Sequence, residues 1–154
     1  QAMTTNQSNI NEISVSYKMN KLSSRKITNA ELADTYAREM YYQTGCEIEL
    51  KEYFFIILLN RANEVIGFHK LSEGGISGTV VDIRLAFATA LKSLASGMIL
   101  IHNHPSGNLT ASQADIELTK KFKKAGEILD ITILDHIIMG SSCYSSFTIQ
   151  GLVL

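Results

Sequence analysis

The sequence predicts an α/β (α+β) fold, a mixed β-sheet flanked by helices. Three observations carry that expectation. Two short, unbroken apolar runs, YFFIILL at 53–59 and MILI at 98–101, read as strands buried on both faces. Helical patterns are interleaved with them along the chain. The stretch from 98–101 through a helix to 131–139 has the length of a crossover between parallel strands, which would be right-handed.

The elements follow in order. Residues 1–25 form a polar N-terminal segment, in which Ile13, Val15 and Tyr17 alternate with Ser14 and Ser16 as a weak strand signal. Residues 26–154 read as one domain. Thr28 with Glu31 three residues on makes a capping box, with Ile27 and Leu32 at the staple positions. Leu32, Tyr36 and Met40 repeat every four residues along the helix that follows, and Gly45 stops it. After the strand at 53–59, residues 60–63 turn into the second strand of a hairpin at 64–71. GGISG at 74–78 is too rich in glycine for anything but a loop.

Asp82 caps a helix running to about Ser96, with Leu85, Ala88, Ala90, Leu91 and Leu94 available to the core and Gly97 closing it. The strand 98–101 then runs directly into His102. A loop over 103–111 holds Pro105, the one proline of the chain. Ser112 and Asp115 open a helix whose apolar positions include Ile116, Phe122, Ala125 and Leu129. Residues 131–139 are a strand, and 144–149 its hairpin partner.

Composition narrows the function. Of 154 residues 45% are hydrophobic and 19% charged, which supports a packed core and excludes a disordered chain. The net charge of -1 argues against a protein built to coat nucleic acid. Lys120, Lys121, Lys123 and Lys124 form a basic stretch that reads as a solvated helix face. Cys46 and Cys143 stand far apart and make no disulfide framework, so a reducing, cytoplasmic compartment is expected. The longest apolar run is too short to span a membrane, and no signal segment opens the chain.

The chemistry concentrates at H-N-H-P-S-G-N-L-T-A-S-Q-A-D, residues 102–115. Side chains alternate along an extended chain, so His102 and His104 leave the strand on one side. Imidazole nitrogens suit zinc, and a carboxylate oxygen is a normal third ligand. A turn at Pro105-Ser106-Gly107 swings the chain back, and the first helical turn delivers Asp115 to the same point. Three protein ligands leave one tetrahedral position free, the catalytic arrangement of such sites. Asp135 and His136, in the strand that follows, are candidates to orient a ligand histidine from behind; the alternative for them is a hydrogen-bonded core pair. His69, on an edge strand, reads as a surface residue.

These residues resemble a family. H-x-H-P, six residues, Ser, two residues, Asp is the signature of JAMM metalloproteases, also called JAB/MPN domains, and the chain matches it at every specified position. The surroundings resemble the RadC-like branch: ILIHNHPSGNLTASQAD, LDHIIMG at 134–140, YSSF at 144–147, and upstream KEYFFIILLNRANEVIG and GGISGTVVDIR. The resemblance covers about residues 50–154. The chain departs from the pattern at Ala111, where family members usually have proline, and in its first 45 residues, which lack the paired glycine hairpins of the helix-hairpin-helix-like module found in longer RadC proteins.

The resemblance implies a JAB fold related to the cytidine-deaminase fold, a Zn2+ cofactor and hydrolysis of peptide or isopeptide bonds in a peptide or protein substrate. It implies a glutamate as general base and Ser112 as a donor to the oxyanion; Ser112 can equally serve as the helix cap. Two glutamates compete for the base. Glu52 stands at the entry to the strand 53–59, matching the place from which JAMM proteins take theirs, and is preferred; Glu73 adjoins the Gly74–Gly75 loop. The alternative to an enzyme is a non-catalytic JAB-type binding or scaffolding module associated with DNA repair. The family name is linked to repair, but the sequence gives no independent support for a nucleic-acid partner. A nucleobase deaminase is excluded, since that chemistry needs a P-C-x-x-C segment which this chain lacks.

Overall fold

Five strands join in one sheet: β1 (Tyr53–Leu59), β2 (Val65–Glu73), β3 (Gly97–Asn103), β4 (Thr132–Met139) and β5 (Tyr144–Ser146). Four helices accompany them: α1 (Ala30–Thr44), α2 (Ile83–Lys92), α3 (Gln113–Leu129) and α4 (Phe147–Gln150). The computed structural model describes residues 12–16, 18, 25–74 and 80–154. The strand order is β2-β1-β3-β4-β5. β1 is antiparallel to both β2 and β3, β3 and β4 are parallel, and β5 returns antiparallel to β4. The sheet is therefore mixed, and α3 is the crossover joining its parallel pair.

Every residue of β1 and β3 is buried, because both faces of the sheet are covered. Tyr53, Phe55, Ile57, Ile99, Ile101, Ile137 and Met139 pack under α1 through Ala33, Ala37, Met40 and Tyr41. On the other face Phe54, Ile56, Leu58, Met98 and Leu100 meet Ala86, Phe87 and Ala90 of α2 and Phe122 of α3. Burying each large apolar side chain contributes about 1.5–3 kcal/mol, so the two layers together fix the strands that carry the site. Among the described residues no helix is long and apolar enough to cross a membrane.

The helices differ from the sequence expectation in their caps and faces. Asn29, not Thr28, caps α1, its side chain accepting from Leu32 N at 2.8 Å. That one-residue shift turns the helix by about 100° relative to a start at Thr28. Glu31 is then misplaced for the box, Leu32 faces solvent, and the buried stripe is Ala30, Ala33, Ala37, Met40 and Tyr41. Gly45 ends α1 as expected, at φ 68°.

α2 stops at Ser93, earlier than the sequence suggests, because Leu94 takes φ 56° and Ala95 N bonds back to Ala90 O at 3.0 Å. Its buried face is Ala86, Phe87 and Ala90, while Leu85, Leu91 and Leu94 are exposed. The three buried residues pack on the sheet, and the leucines are left at the rim. In α3 Phe122 is buried as expected, but Leu129 is exposed. At Gly126 a Cβ would stand 2.2 Å from Ile131 O, so only glycine lets the chain return to β4 so tightly.

At the chain ends of the sheet, β2 continues two residues beyond the expected 71, and β5 stops at Ser146. The Ser146 hydroxyl accepts from Ile149 N, which turns 147–150 into α4 in place of further strand. Ile13 and Val15 are exposed and residues 12–16 form no strand; Tyr17 lies outside the described residues, as does most of the expected GGISG loop.

Candidate metal centre

The site is built on the C-terminal end of β3. His102 is its penultimate residue, opposite Phe54 of β1, whose ring stacks on the imidazole at a centroid distance of 5.6 Å. One residue past the strand, His104 N still donates to Met139 O at 3.0 Å, so the chain stays extended and both imidazoles emerge on one side. A turn closes behind them, with Gly107 N donating to His104 O at 2.9 Å and Gly107 at φ 79°. Ser145 of β5 donates to Leu109 O at 2.9 Å and ties the returning loop to the sheet.

α3 then begins with a reciprocal capping box. Ser112 Oγ accepts from Asp115 N at 3.0 Å, and the Asp115 carboxylate accepts from Ser112 N at 2.8 Å. The box aims the carboxylate at the histidines. His102 Nε2 lies 3.0 Å from His104 Nε2 and 3.3 Å from Asp115 Oδ1; His104 Nε2 lies 3.4 Å from Asp115 Oδ2.

That triangle can be tested against a metal. Ligand atoms held at about 2.0–2.1 Å around a tetrahedral divalent ion stand roughly 3.3–3.4 Å apart. The two contacts to Asp115 are made by its two different oxygens; with one atom taken from each residue, two imidazole nitrogens and one carboxylate oxygen lie within 4.8 Å of one another, close enough for one ion to gather them. The His104 tautomer also fits: its Nδ1 is 2.6 Å from Asn108 O, so Nδ1 carries the hydrogen and Nε2 presents a lone pair when the ring is neutral. His102 is buried, whereas His104 and Asp115 keep 14% and 16% of their side-chain surface, so the site is reached from solvent on their side.

The electrostatics call for positive charge. Burial works to raise the Asp115 pKa, but hydrogen bonds from His102 and His104 outweigh it and hold the carboxyl well below its usual range. His104 is raised above 6.5, first by its bond to Asp115, against the opposing effect of burial; the Asn108 carbonyl and the charge of Glu52 add to the rise. The negative charge of Asp115 beside two imidazoles favours a cation at this point.

Behind His102 the structure separates the two expected supporting residues. A bulge in β4 leaves Leu134 without a partner on β3: Met98 pairs with Ile133, and Ile99 with Asp135. Leu134 and Asp135 therefore both face the α1 side, and His136 faces the site. Asp135 touches no metal-site histidine. Its carboxylate accepts from Ser146 Oγ at 2.6 Å, from His136 N at 2.7 Å and from Thr148 N at 3.1 Å, so it braces β5 and α4, in keeping with the hydrogen-bonded core alternative. His136 Nε2 lies 2.7 Å from His102 Nδ1, and burial depresses the His136 pKa well below 6.5.

Two residues went unnoticed in the sequence. Thr119 lies four residues after Asp115, hence on the same helix face, and its hydroxyl is 2.7 Å from His136 Nδ1. Asn103, the central residue of H-N-H, points to the opposite side of the sheet from the histidines and is fully buried. Its Oδ1 accepts from Tyr41 OH and Tyr53 N, both at 2.9 Å, and its Nδ2 donates to Ile48 O at 2.7 Å and Lys51 O at 2.9 Å. It thus grips the backbone on both sides of Glu52. A buried asparagine has four bonds to satisfy, and that requirement was the available signal.

Glu52 is half-buried immediately before β1, and its carbonyl accepts from Gly74 N at 2.8 Å. Glu73, at the end of β2, is an exposed ion-pair centre: it bonds Lys51 at 2.7 Å and also Lys70, and these hydrogen bonds lower its pKa to about 2. His69 is exposed on β2, and the four lysines of α3 are exposed, as expected.

A family model described as the RadC-like JAB domain matches residues 27–152. The chain is similar to a UPF0758 protein of Flavobacterium johnsoniae, 54% identical over 101 residues that make up 66% of this chain and 44% of that protein. It is also 44% identical to a UPF0758 protein of Pelobacter propionicus over 67% of this chain and 45% of the relative. A third, from Haemophilus ducreyi, is 44% identical over 70% of this chain and 48% of the relative. The chain thus spans less than half the length of these curated relatives.

Proposed function

The chain belongs to the RadC-like JAB domain family, and from that premise we propose that it is a zinc-dependent hydrolase of the JAMM type acting on peptide or isopeptide bonds. The observation that carries the reading is the convergence of His102, His104 and Asp115, whose ligand atoms lie within 4.8 Å of one another with a solvent-facing side. Zinc held there would act as a Lewis acid on the scissile carbonyl and would acidify water.

The chain's own residues divide the remaining work. Glu52 takes the proton of the attacking water and returns it to the leaving amine. Its support comes from the backbone, since Asn103 holds Lys51 O and Tyr53 N on either side of it, and from its charge reaching His104. Glu73 is a poor base by comparison, with its carboxylate committed to two lysines and its pKa near 2. Ser112 Oγ already accepts the Asp115 N–H, but its own hydroxyl hydrogen is left to donate to an oxyanion.

The test is hydrolysis of a mixed peptide and isopeptide library by zinc-loaded protein, read by mass spectrometry. Cleavage should disappear on chelation and fall about 100-fold or more in Glu52→Gln, which keeps its zinc. Glu73→Gln should cleave like wild type. Stoichiometric zinc without any cleavage would instead favour a binding module on the same fold, and equal loss in Glu73→Gln would exchange the roles of the two glutamates.

A further inference from the structure

Three buried groups lie in line behind the site. The Thr119 hydroxyl is 2.7 Å from Asp115 O and 2.7 Å from His136 Nδ1, and His136 Nε2 is 2.7 Å from His102 Nδ1. The chain starts on the backbone of one candidate ligand and ends on the ring of another. Apolar surfaces enclose it: Phe147 stacks on His136 at 4.5 Å, and Phe54 lies against both imidazoles at 5.6 and 5.7 Å. Thr119 and His136 are fully buried.

We propose that Thr119, acting through His136, is a positioning residue that decides which nitrogen of His102 presents a lone pair to the metal. The inference rests on the metal-site reading above. A neutral imidazole carries one N–H, so the line can run in only two directions. In the first, Thr119 donates to Asp115 O and accepts from His136 Nδ1–H. The bare His136 Nε2 then accepts from His102 Nδ1–H, and His102 Nε2 faces His104 and Asp115 with its lone pair. In the second, Thr119 donates to His136 Nδ1, His136 Nε2–H points at His102 Nδ1, and the His102 hydrogen stands on Nε2, inside the triangle.

Only the first direction leaves three donors for a cation. The Thr119 hydroxyl serves it, because it accepts from His136 while its own hydrogen goes to Asp115 O. A valine of nearly the same shape can do neither. It would leave the His136 Nδ1–H buried without a partner whenever His102 ligates through Nε2.

The test compares wild type, Thr119→Val and Thr119→Ser. Zinc affinity is measured by competition with a chromophoric chelator, and ring tautomers by long-range 1H–15N NMR on the zinc-loaded protein. Thr119→Val should bind zinc about 10–100-fold more weakly, the usual scale for losing an outer partner of a ligand, and Thr119→Ser should recover wild-type affinity. In loaded wild type both His102 and His136 should carry their hydrogen on Nδ1. The amide spectrum of zinc-free Thr119→Val should match that of wild type, which separates the effect from unfolding. Equal zinc affinity in wild type and Thr119→Val, or a hydrogen on His136 Nε2 in the loaded protein, would overturn this inference alone. Wild type that takes up no zinc would overturn the metal reading, and this inference with it.

Discussion

Replacing Asn103 by alanine should cost the fold far more than its neighbours in the motif suggest. The side chain makes four hydrogen bonds in a buried position, and their partners fare differently once it is gone. Tyr41 OH has a second acceptor in Tyr53 O at 3.3 Å. Ile48 O and Lys51 O belong to half-exposed residues that water can reach. Tyr53 N is buried and has no such recourse, so it bears an orphan penalty of about 1–3 kcal/mol. The other three bonds contribute about 0.5–1.5 kcal/mol each. Together these give roughly 2.5–7.5 kcal/mol, or about 5–30 °C in Tm for a domain of this size. Urea and thermal denaturation in the presence of a chelator read it without interference from metal. Hydrogen exchange should rise over 48–53 in particular, the segment that carries Glu52. A destabilisation below about 1 kcal/mol would refute the reasoning, because it would mean that the four bonds are replaced at no cost.

Other consequences can be checked directly. Wild-type protein should carry about one zinc per chain by elemental analysis. His104→Ala should lose most of that metal yet melt, zinc-free, within about 1 kcal/mol of wild type, since residue 104 lies just past the end of β3. Glu73 should titrate near pH 2 by carboxyl NMR. Its folded pKa is depressed, so its contribution to stability is complete above its ordinary value of about 4.5 and is lost as pH falls toward 2. Titration of Glu73 at 4 or above would show that the lysine pair does not hold it.

The sequence exposed some features because one residue type or one period determines them. The unbroken apolar runs of β1 and β3 could only be strands covered on both faces, and the H-x-H spacing at a strand end could only place two imidazoles together. Asp115 was legible because the capping box that aims it is itself local. Other features depend on a choice between near equals or on distant partners. Thr28 and Asn29 are both good caps, and with Asn29 as the cap Leu32 faces solvent while Met40 stays buried. On α2 the sequence offers Leu85, Leu91 and Leu94 beside Ala90 for the core, yet the buried face is Ala86, Phe87 and Ala90. Which of Asp135 and His136 stands behind His102 is set by the bulge in β4, which leaves no mark in the hydrophobic pattern. Nothing local marks Thr119 or Asn103, since the His136 ring lies 17 residues from the first and Tyr53 and Tyr41 lie 50 and 62 residues from the second.

The bulge at Leu134 also bears on how such a centre could diversify in descent. Were β4 to continue from Ile133 without it, Asp135 rather than His136 would stand opposite Leu100, behind the first histidine. A change of one residue in strand length can therefore trade an imidazole for a carboxylate at that spot while His102, His104 and Asp115 stay where they are. Lineages that gain or lose a residue there would inherit the same His-His-Asp cluster with a different group behind its first imidazole. Insertions and deletions in β4, and not only substitutions around the histidines, are then a route by which the reactivity of the centre can drift.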